Sequence, residues 1–273
     1  TVYGVDYTLS DDNQAFSVTL GSVTSSDVNY AGKNPDDVSV TNVDNETASI
    51  TVSALSGNTT EMGGTATFTV VLDNQPTSDV SIAVSSSDTS EATISPSSLT
   101  FGSSNYSTLQ TVTVTGVDDF YDDDNVSYTI TVDPSSSIAS YNTMTSSTVT
   151  GSNIDNDTAA ITVGAKSGNT SEFGTTATIN VTLATIPTAN VSIVVTDNDS
   201  TEVSITPTTL TITPSTWNTT NQVTLTGQDD SDNDGNITFR ISFDNATSTD
   251  SKYNGMAPSP AYVDVINVDD YAD

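Results

Sequence analysis

Three stretches of this 273-residue chain read alike, and their spacing constrains the fold more than any other feature. Thr41–Val52 reads TNVDNETASITV, Ser152–Val163 reads SNIDNDTAAITV, and Ile266–Asp273 reads INVDDYAD. Asp44, Asp155 and Asp269 hold the same place in the three copies. A second marker is Gly116-Val117-Asp118-Asp119, echoed by Gly227-Gln228-Asp229-Asp230 and by Gly4-Val5-Asp6. Tyr30, Tyr141 and Tyr253 recur on the same period. A repeat of about 111 residues is close to the ~100 residues of a seven-strand immunoglobulin-type sandwich.

The local pattern agrees with that period. Ala66, Phe68, Val70 and Leu72 alternate with Thr65, Thr67, Thr69 and Val71, and one period later Ala177, Ile179, Val181 and Leu183 alternate with Thr176, Thr178, Asn180 and Thr182. Strand side chains point to opposite faces in turn, so this is a strand with one apolar face. Val126, Tyr128, Ile130 and Val132 repeat the pattern, matched by Ile237, Phe239, Ile241 and Phe243, and in the first copy by Phe16, Val18 and Leu20. No helical period persists, so the expected class is all-β: tandem immunoglobulin-like Greek-key sandwiches. In strand letters one repeat runs A near Ala48–Val52, B near Thr65–Leu72, C near Val80–Ser85, D near Thr93–Phe101, E near Thr111–Thr115, F near Val126–Val132 and G near Thr145–Ile154. On this map residues 1–45 hold only the end of E, then F and G. Residues 46–156 and 157–273 are each expected to form a complete repeat.

Charge limits the partners. There are 35 acidic and 4 basic residues, a formal net charge of −31. Nucleic acid and anionic membrane surfaces would repel such a chain. Without Cys or His, disulfides, thiol catalysis, Ser-His-Asp triads and ordinary zinc sites are excluded. No run of 18 apolar residues is present, so no membrane span is expected in this segment. No leader or anchor motif stands out, and the expectation is a mature chain or a fragment.

The acids cluster. The E–F connection reads DDFYDDDN from Asp118 to Asn125, and its counterpart reads DDSDNDGN from Asp229 to Asn236. Glu61 and Glu172 lie one period apart in the A–B connection; Asp88 and Glu91, then Asp197, Asp199 and Glu202, occupy the C–D connection. Asp155 and Asp157, then Asp269 and Asp270, follow strand G. Strands of a seven-strand sandwich alternate in direction, so these four connections share one end of each repeat. A single Asp in such a loop marks only a solvated turn. A convergent set repels itself, and a hard divalent cation with six to eight oxygen ligands relieves that. Calcium suits flexible loops rich in oxygen better than magnesium does. Neither loop has EF-hand spacing.

These residues resemble the Calx-beta domain family. The matching elements are a Glu ahead of a Gly/Thr-rich B strand (EMGGTATFTVVL, SEFGTTATINVTL), a DD pair closing strand E, and an acidic run after strand G (NVDNE, NIDND, NVDD). The segments SSLTFGSSNYSTLQTVTVTGVDD and TTLTITPSTWNTTNQVTLTGQDD are similar to tandem repeats of large microbial surface and adhesin-like proteins. The resemblance implies calcium at Glu61, Asp118, Asp119, Asp155 and Asp157 in the second repeat, and at Glu172, Asp229, Asp230, Asp269 and Asp270 in the third. It also implies an extracellular, cell-surface location.

Asn-X-Ser/Thr sequons occur 12 times, among them Asn58 and Asn169, and Asn125 and Asn236, which are pairs one period apart. Asn180 falls on the outward face of strand B. These five are candidate glycosylation sites if the source modifies surface proteins, although a Thr-rich chain produces sequons by accident. Trp217 and Tyr106 each stand ten residues before the marker glycine, as expected of aromatic anchors under the sandwich. Paired acids can hydrolyse glycosides, but no cleft-lining aromatics accompany these, and no enzyme is expected. The leading expectation is a structural repeat region of an extracellular filament or adhesin stalk, stiffened by calcium at the domain poles. Its partners would be other copies or neighbouring repeats of the same surface protein, with glycans possible. The alternative is a calcium-dependent surface module that binds carbohydrate or a partner.

Overall fold

The structure is a computed structural model that describes residues 1–230 and 234–269. Among these residues the chain forms 22 strands and one four-residue helix. The first stretch holds β1 (Leu9–Ser10), β2 (Gln14–Val18) and β3 (Val38–Asn42). Next come β4 (Ile50–Val52), β5 (Thr59–Thr60), β6 (Thr65–Leu72), β7 (Gln75–Pro76), β8 (Val80–Ser86), β9 (Ala92–Ser95), β10 (Ser98–Phe101) and β11 (Gln110–Gly116). They are followed by β12 (Val126–Ser136), helix α1 (Ala139–Asn142) and β13 (Ser147–Ile154). The last stretch holds β14 (Ile161–Val163), β15 (Thr170–Ser171), β16 (Thr176–Leu183), β17 (Val191–Asp197) and β18 (Val203–Thr206). It ends with β19 (Thr209–Ile212), β20 (Asn221–Gly227), β21 (Ile237–Phe243) and β22 (Tyr262–Val268). No helix among the described residues is long and apolar enough to cross a membrane.

The chain divides into two compact units, one of Thr1–Asp118 with Asn125–Ile154, the other of Asp119–Asp124 with Asp155–Asp273. In the first unit a four-stranded sheet β4-β6-β11-β9 faces a five-stranded sheet β10-β8-β12-β13-β5. The second unit repeats this with β14-β16-β20-β18 and β15-β22-β21-β17-β19. Each is an immunoglobulin-like sandwich, as the alternation requires. Ala66, Phe68, Val70 and Leu72 all point into the first core, and the Thr residues between them face outward. Burying each large apolar side chain stabilises the fold by roughly 1.5–3 kcal/mol. Tyr106 and Trp217 pack against the two cores at matching places.

The fourth strand differs from the sequence expectation of one strand near Thr93–Phe101. It is two strands in opposite sheets: β9 pairs with β11 and β10 pairs with β8. Pro96 lies between them and has no N–H to continue a ladder, so the chain crosses from one sheet to the other there. Strand A divides in the same way. β4 pairs with β6, while β5 runs parallel to the last strand, β13.

The first 45 residues lack this two-sheet build. β2 and β3 form an isolated antiparallel hairpin, and β1 pairs with β7.

Candidate metal centre

One end of each sandwich is organised around a buried asparagine. Asn153 on β13 and Asn267 on β22 are each 1% exposed. Asn153 Nδ2 donates to the Val117 carbonyl (2.8 Å) and to Glu91 Oε2 (3.3 Å). Asn267 Nδ2 donates to the Gln228 carbonyl (3.1 Å) and to Glu202 Oε2 (3.1 Å). The backbone repeats the link, because Val117 N–H donates to Glu91 O and Gln228 N–H to Glu202 O, both at 3.0 Å. The connection before β9 or β18 is thus tied to the one after β11 or β20. The marker glycines explain themselves here. A Cβ on Gly116 would sit 2.2 Å from Thr60 O, and one on Gly227 would sit 2.2 Å from Ser171 O. Only glycine permits this backbone approach.

In the second unit this frame brings three acids together. Carboxylate oxygens of Glu202, Asp230 and Asp234 lie within 4.8 Å of one another. Glu202 is buried, Asp230 half-buried and Asp234 exposed. Burial, and then the charges of Asp234, Asp199 and Asp230, push the Glu202 carboxyl above the usual carboxylate range, against the opposing hydrogen bond from Asn267. The cationic side chains of this unit are engaged elsewhere. Arg240 pairs with Asp264 at 2.8 Å and stacks on Tyr262, Lys252 pairs with Asp122 and Asp124, and Lys166 donates to Asn169. A buried carboxylate crowded by two others, in an all-oxygen donor set, fits a hard divalent cation and suits calcium.

The residues expected from sequence fall in several places. Asp230 is in the three-acid group. Glu202 and Asp234 belong to it too; the sequence puts both in the converging acidic connections, but not among the calcium positions that the family resemblance implies. Their signal was present: Glu91 and Glu202 are one period apart and precede equivalent strands. Glu61 and Glu172 are both buried. Their N–H groups donate to the Ile154 and Val268 carbonyls at 3.1 Å, beside the parallel pairs β5/β13 and β15/β22. Asp118 and Asp229 are exposed. Asp119 Oδ1 accepts the Tyr121 N–H. Asp155 accepts the N–H of Asp124 and that of Asp157. Asp269 Oδ2 accepts from Gly235, and its N–H donates to Asn236 Oδ1. Asp270 lies outside the described residues.

The segment Asp119–Asp124 is held within the second unit by named contacts. Phe120 O accepts the Ile186 N–H at 2.7 Å, and the Phe120 ring lies 5.8 Å from that of Trp217. Asp122 Oδ2 accepts the Ala159 N–H at 2.8 Å. Burial opposes charge on Asp122, but this N–H and Lys252 outweigh it, and its carboxyl is held below the usual range. Asp124 takes φ 65° at the turn, where the equivalent residues are Asp12 at 57° and Gly235 at 76°. Asp tolerates this left-handed region better than most residues.

The five candidate glycosylation residues Asn58, Asn125, Asn169, Asn180 and Asn236 are all exposed. Asn180 projects outward from β16 and accepts from Gln222.

No family model matches the chain, and no curated protein matches it. Solved structures with a related fold include CBD12 from CALX1.2, at 13% identity and TM-score 0.32, covering 73% of this chain and 82% of that one. Domains 4 and 5 of the S-layer protein SbsC match at 14% identity and TM-score 0.27, covering 82% and 99%. The D00-D0 domain of intimin matches at 12% identity and TM-score 0.25, covering 81% and 100%.

Proposed function

We propose that this chain is a structural repeat region of an extracellular stalk or filament at the cell surface, in which calcium neutralises and stiffens the acidic end of each repeat. On this reading residues 46–156 and 157–273 are complete repeats, and residues 1–45 carry the closing strands of another. Neighbouring repeats or copies of the same protein are its partners. The observation that carries the proposal is the group Glu202, Asp230 and Asp234, in which the buried Glu202 carboxylate faces two more and, among the described residues, has no lysine or arginine partner. Such a group holds an oxygen-seeking cation more readily than it tolerates being empty. Three features support a stalk over a recognition module. The two Asn–Glu frames are near-equivalent. Trp217 is packed under its sandwich rather than offered as a platform. The surface is acidic and rich in Ser and Thr.

The test combines melting with imaging. Melting temperature should rise with calcium and fall with a chelator, because a ligand of the native state alone stabilises it by mass action. Electron microscopy of native material should show rods or fibres. Identical melting with and without calcium would sink the metal reading, and compact, unassembled particles would sink the stalk reading.

A further inference from the structure

Each unit seats a short segment on the turn between its B and C strands, and the backbone contacts match. In the first unit β1 (Leu9–Ser10) runs parallel to β7 (Gln75–Pro76), and Asp12 Oδ2 accepts the Ala139 N–H at 2.9 Å. In the second unit Phe120 O accepts the N–H of Ile186, and Ile186-Pro187 is the counterpart of Gln75-Pro76 one period on. Asp12 and Asp124 close the two segments at φ 57° and 65°. Counted from Gly4 and Gly116, Thr8, Ser10 and Asp12 correspond to Phe120, Asp122 and Asp124. Counted from Tyr141 and Tyr253, Ser140 corresponds to Lys252. Every one of these contacts lies within one unit or the other.

The side chains differ, and they differ in pairs. Lys252 Nζ donates to Asp122 and to Asp124, the latter at 2.8 Å. The Asp122 side chain is 15% exposed, so its charge is largely out of water. In the first unit both members of that pair are serines. The Ser10 and Ser140 hydroxyl oxygens are buried, and among the described residues neither has a hydrogen-bond partner. The Phe120 ring packs at 39° to Trp217, where the first unit has Thr8 and Tyr106. Ile186 stands where the first unit has Gln75. One seat is therefore charged and apolar, the other neutral and polar. Exchanging the segments would leave each seat wrong. Ser10 against Lys252 would leave the ammonium only Asp124, whose side chain is 82% exposed. Asp122 against Ser140 would put a desolvated carboxylate where no cation faces it. Removing one partner of a desolvated pair costs more than the whole pair contributes, so such a pair acts chiefly against mismatches.

We propose that these paired side chains are an address that decides which segment each sandwich accepts. Asp122 with Lys252, and Phe120 with Trp217, admit an acidic, aromatic segment to the second sandwich. The serines at positions 10 and 140 admit a neutral, hydroxyl-bearing segment to the first. Main-chain hydrogen bonds hold either segment equally well and carry no sequence information, so the side chains must supply the choice. Near-identical repeats in one chain need such a choice, because a segment seated by backbone alone exchanges between copies. The address uses none of the acids of the three-acid group and does not rest on the metal reading.

The test is a double-mutant cycle in the full chain, in chelator. It is read by amide exchange at Ile186, whose N–H is held by Phe120 O. Asp122→Ser and Lys252→Ser should each speed that exchange about tenfold. The double variant, which puts the first unit's side chains into the second unit's seat, should exchange no faster than either single variant. The first unit supplies the converse, read at the Ala139 N–H. Ser10→Asp should speed exchange there about tenfold, and adding Ser140→Lys should slow it again. Exchange at Ile179 and Phe239 in the second core should stay as it is throughout. Unchanged exchange at Ile186 in the single variants overturns the proposal. So does a loss of about a hundredfold in the double variant, which is what independent effects give, and so does a Ser140→Lys variant that fails to restore Ala139. Exchange that rises equally at Ile179, Phe239 and Ile186 makes the pair a general brace of the sandwich and overturns it too.

Discussion

Replacing Glu202 by Gln should move stability in opposite directions with and without calcium. Glu202 is 4% exposed, and its carboxylate lies within 4.8 Å of those of Asp230 and Asp234. Two like unit charges at that distance repel by about 1 kcal/mol in water-like surroundings and by about 3.5 kcal/mol at an effective dielectric of about 20. Asp234 is exposed and Asp230 half-buried, so the lower figure governs. Gln keeps an oxygen to accept the 3.1 Å hydrogen bond from Asn267. In chelator, Glu202→Gln should therefore stabilise the second unit by about 1 kcal/mol, or roughly 2–4 °C in melting temperature. In calcium at a hundred-fold excess over its dissociation constant the native protein gains about 2.7 kcal/mol, and the variant loses most of that gain. Scanning calorimetry should show the variant melting above the native protein in chelator and below it in calcium.

The pH arm has a definite sign. Because the folded pKa of Glu202 is raised from its ordinary 4.5, its stabilising contribution is fully present below that value. It is lost as pH rises through the folded value. Chelated native protein should lose stability over that window, and Glu202→Gln should not. A variant that is less stable than the native protein by the same amount in both conditions would refute the metal reading and leave Glu202 as a packing residue.

Other perturbations test the surrounding architecture. Tyr253→Phe should cost about 1–3 kcal/mol in chemical unfolding, because buried Thr185 loses its three contacts with the Tyr253 hydroxyl, through its N–H, Oγ1 and carbonyl, while Tyr30→Phe at the exposed counterpart should cost nothing measurable. Gly227→Ala should cost about 3 kcal/mol or more, since the new Cβ meets a backbone carbonyl at 2.2 Å. Gly4→Ala should be milder in the same assay, because it meets only the Asn42 side chain. Lys252→Gln should flatten the acid limb of the second unit's melting profile. The lowered pKa of Asp122 means that its contribution is present above 3.8 and lost as pH falls through the folded value, and removing Lys252 takes away part of that shift.

The fold was legible in the residues because period-two alternation and a long internal repeat report the same physics twice. Ala66 to Leu72 could bury one face only as a strand, and the repeat said where the next such strand would fall. The site was less legible. Acidic loops announced themselves, yet an exposed Asp229 and a half-buried Asp230 are identical on paper. Glu202 is held inside by Asn267, as Glu91 is by Asn153, and no local sequence pattern reports those contacts.

The sequence by itself determined the strand class, the repeat phase, the marker glycines and the acidic balance behind a −31 charge. Tertiary structure alone decided which acids meet, that the fourth strand divides between sheets at Pro96, and that Phe16 and Tyr30 stand exposed where Tyr128 and Tyr141 are buried. The reason is physical. Alternation and spacing are properties of neighbours along the chain, whereas desolvation and charge crowding depend on residues such as Glu202 and Asn267, which are 65 positions apart and come together only when the sandwich closes.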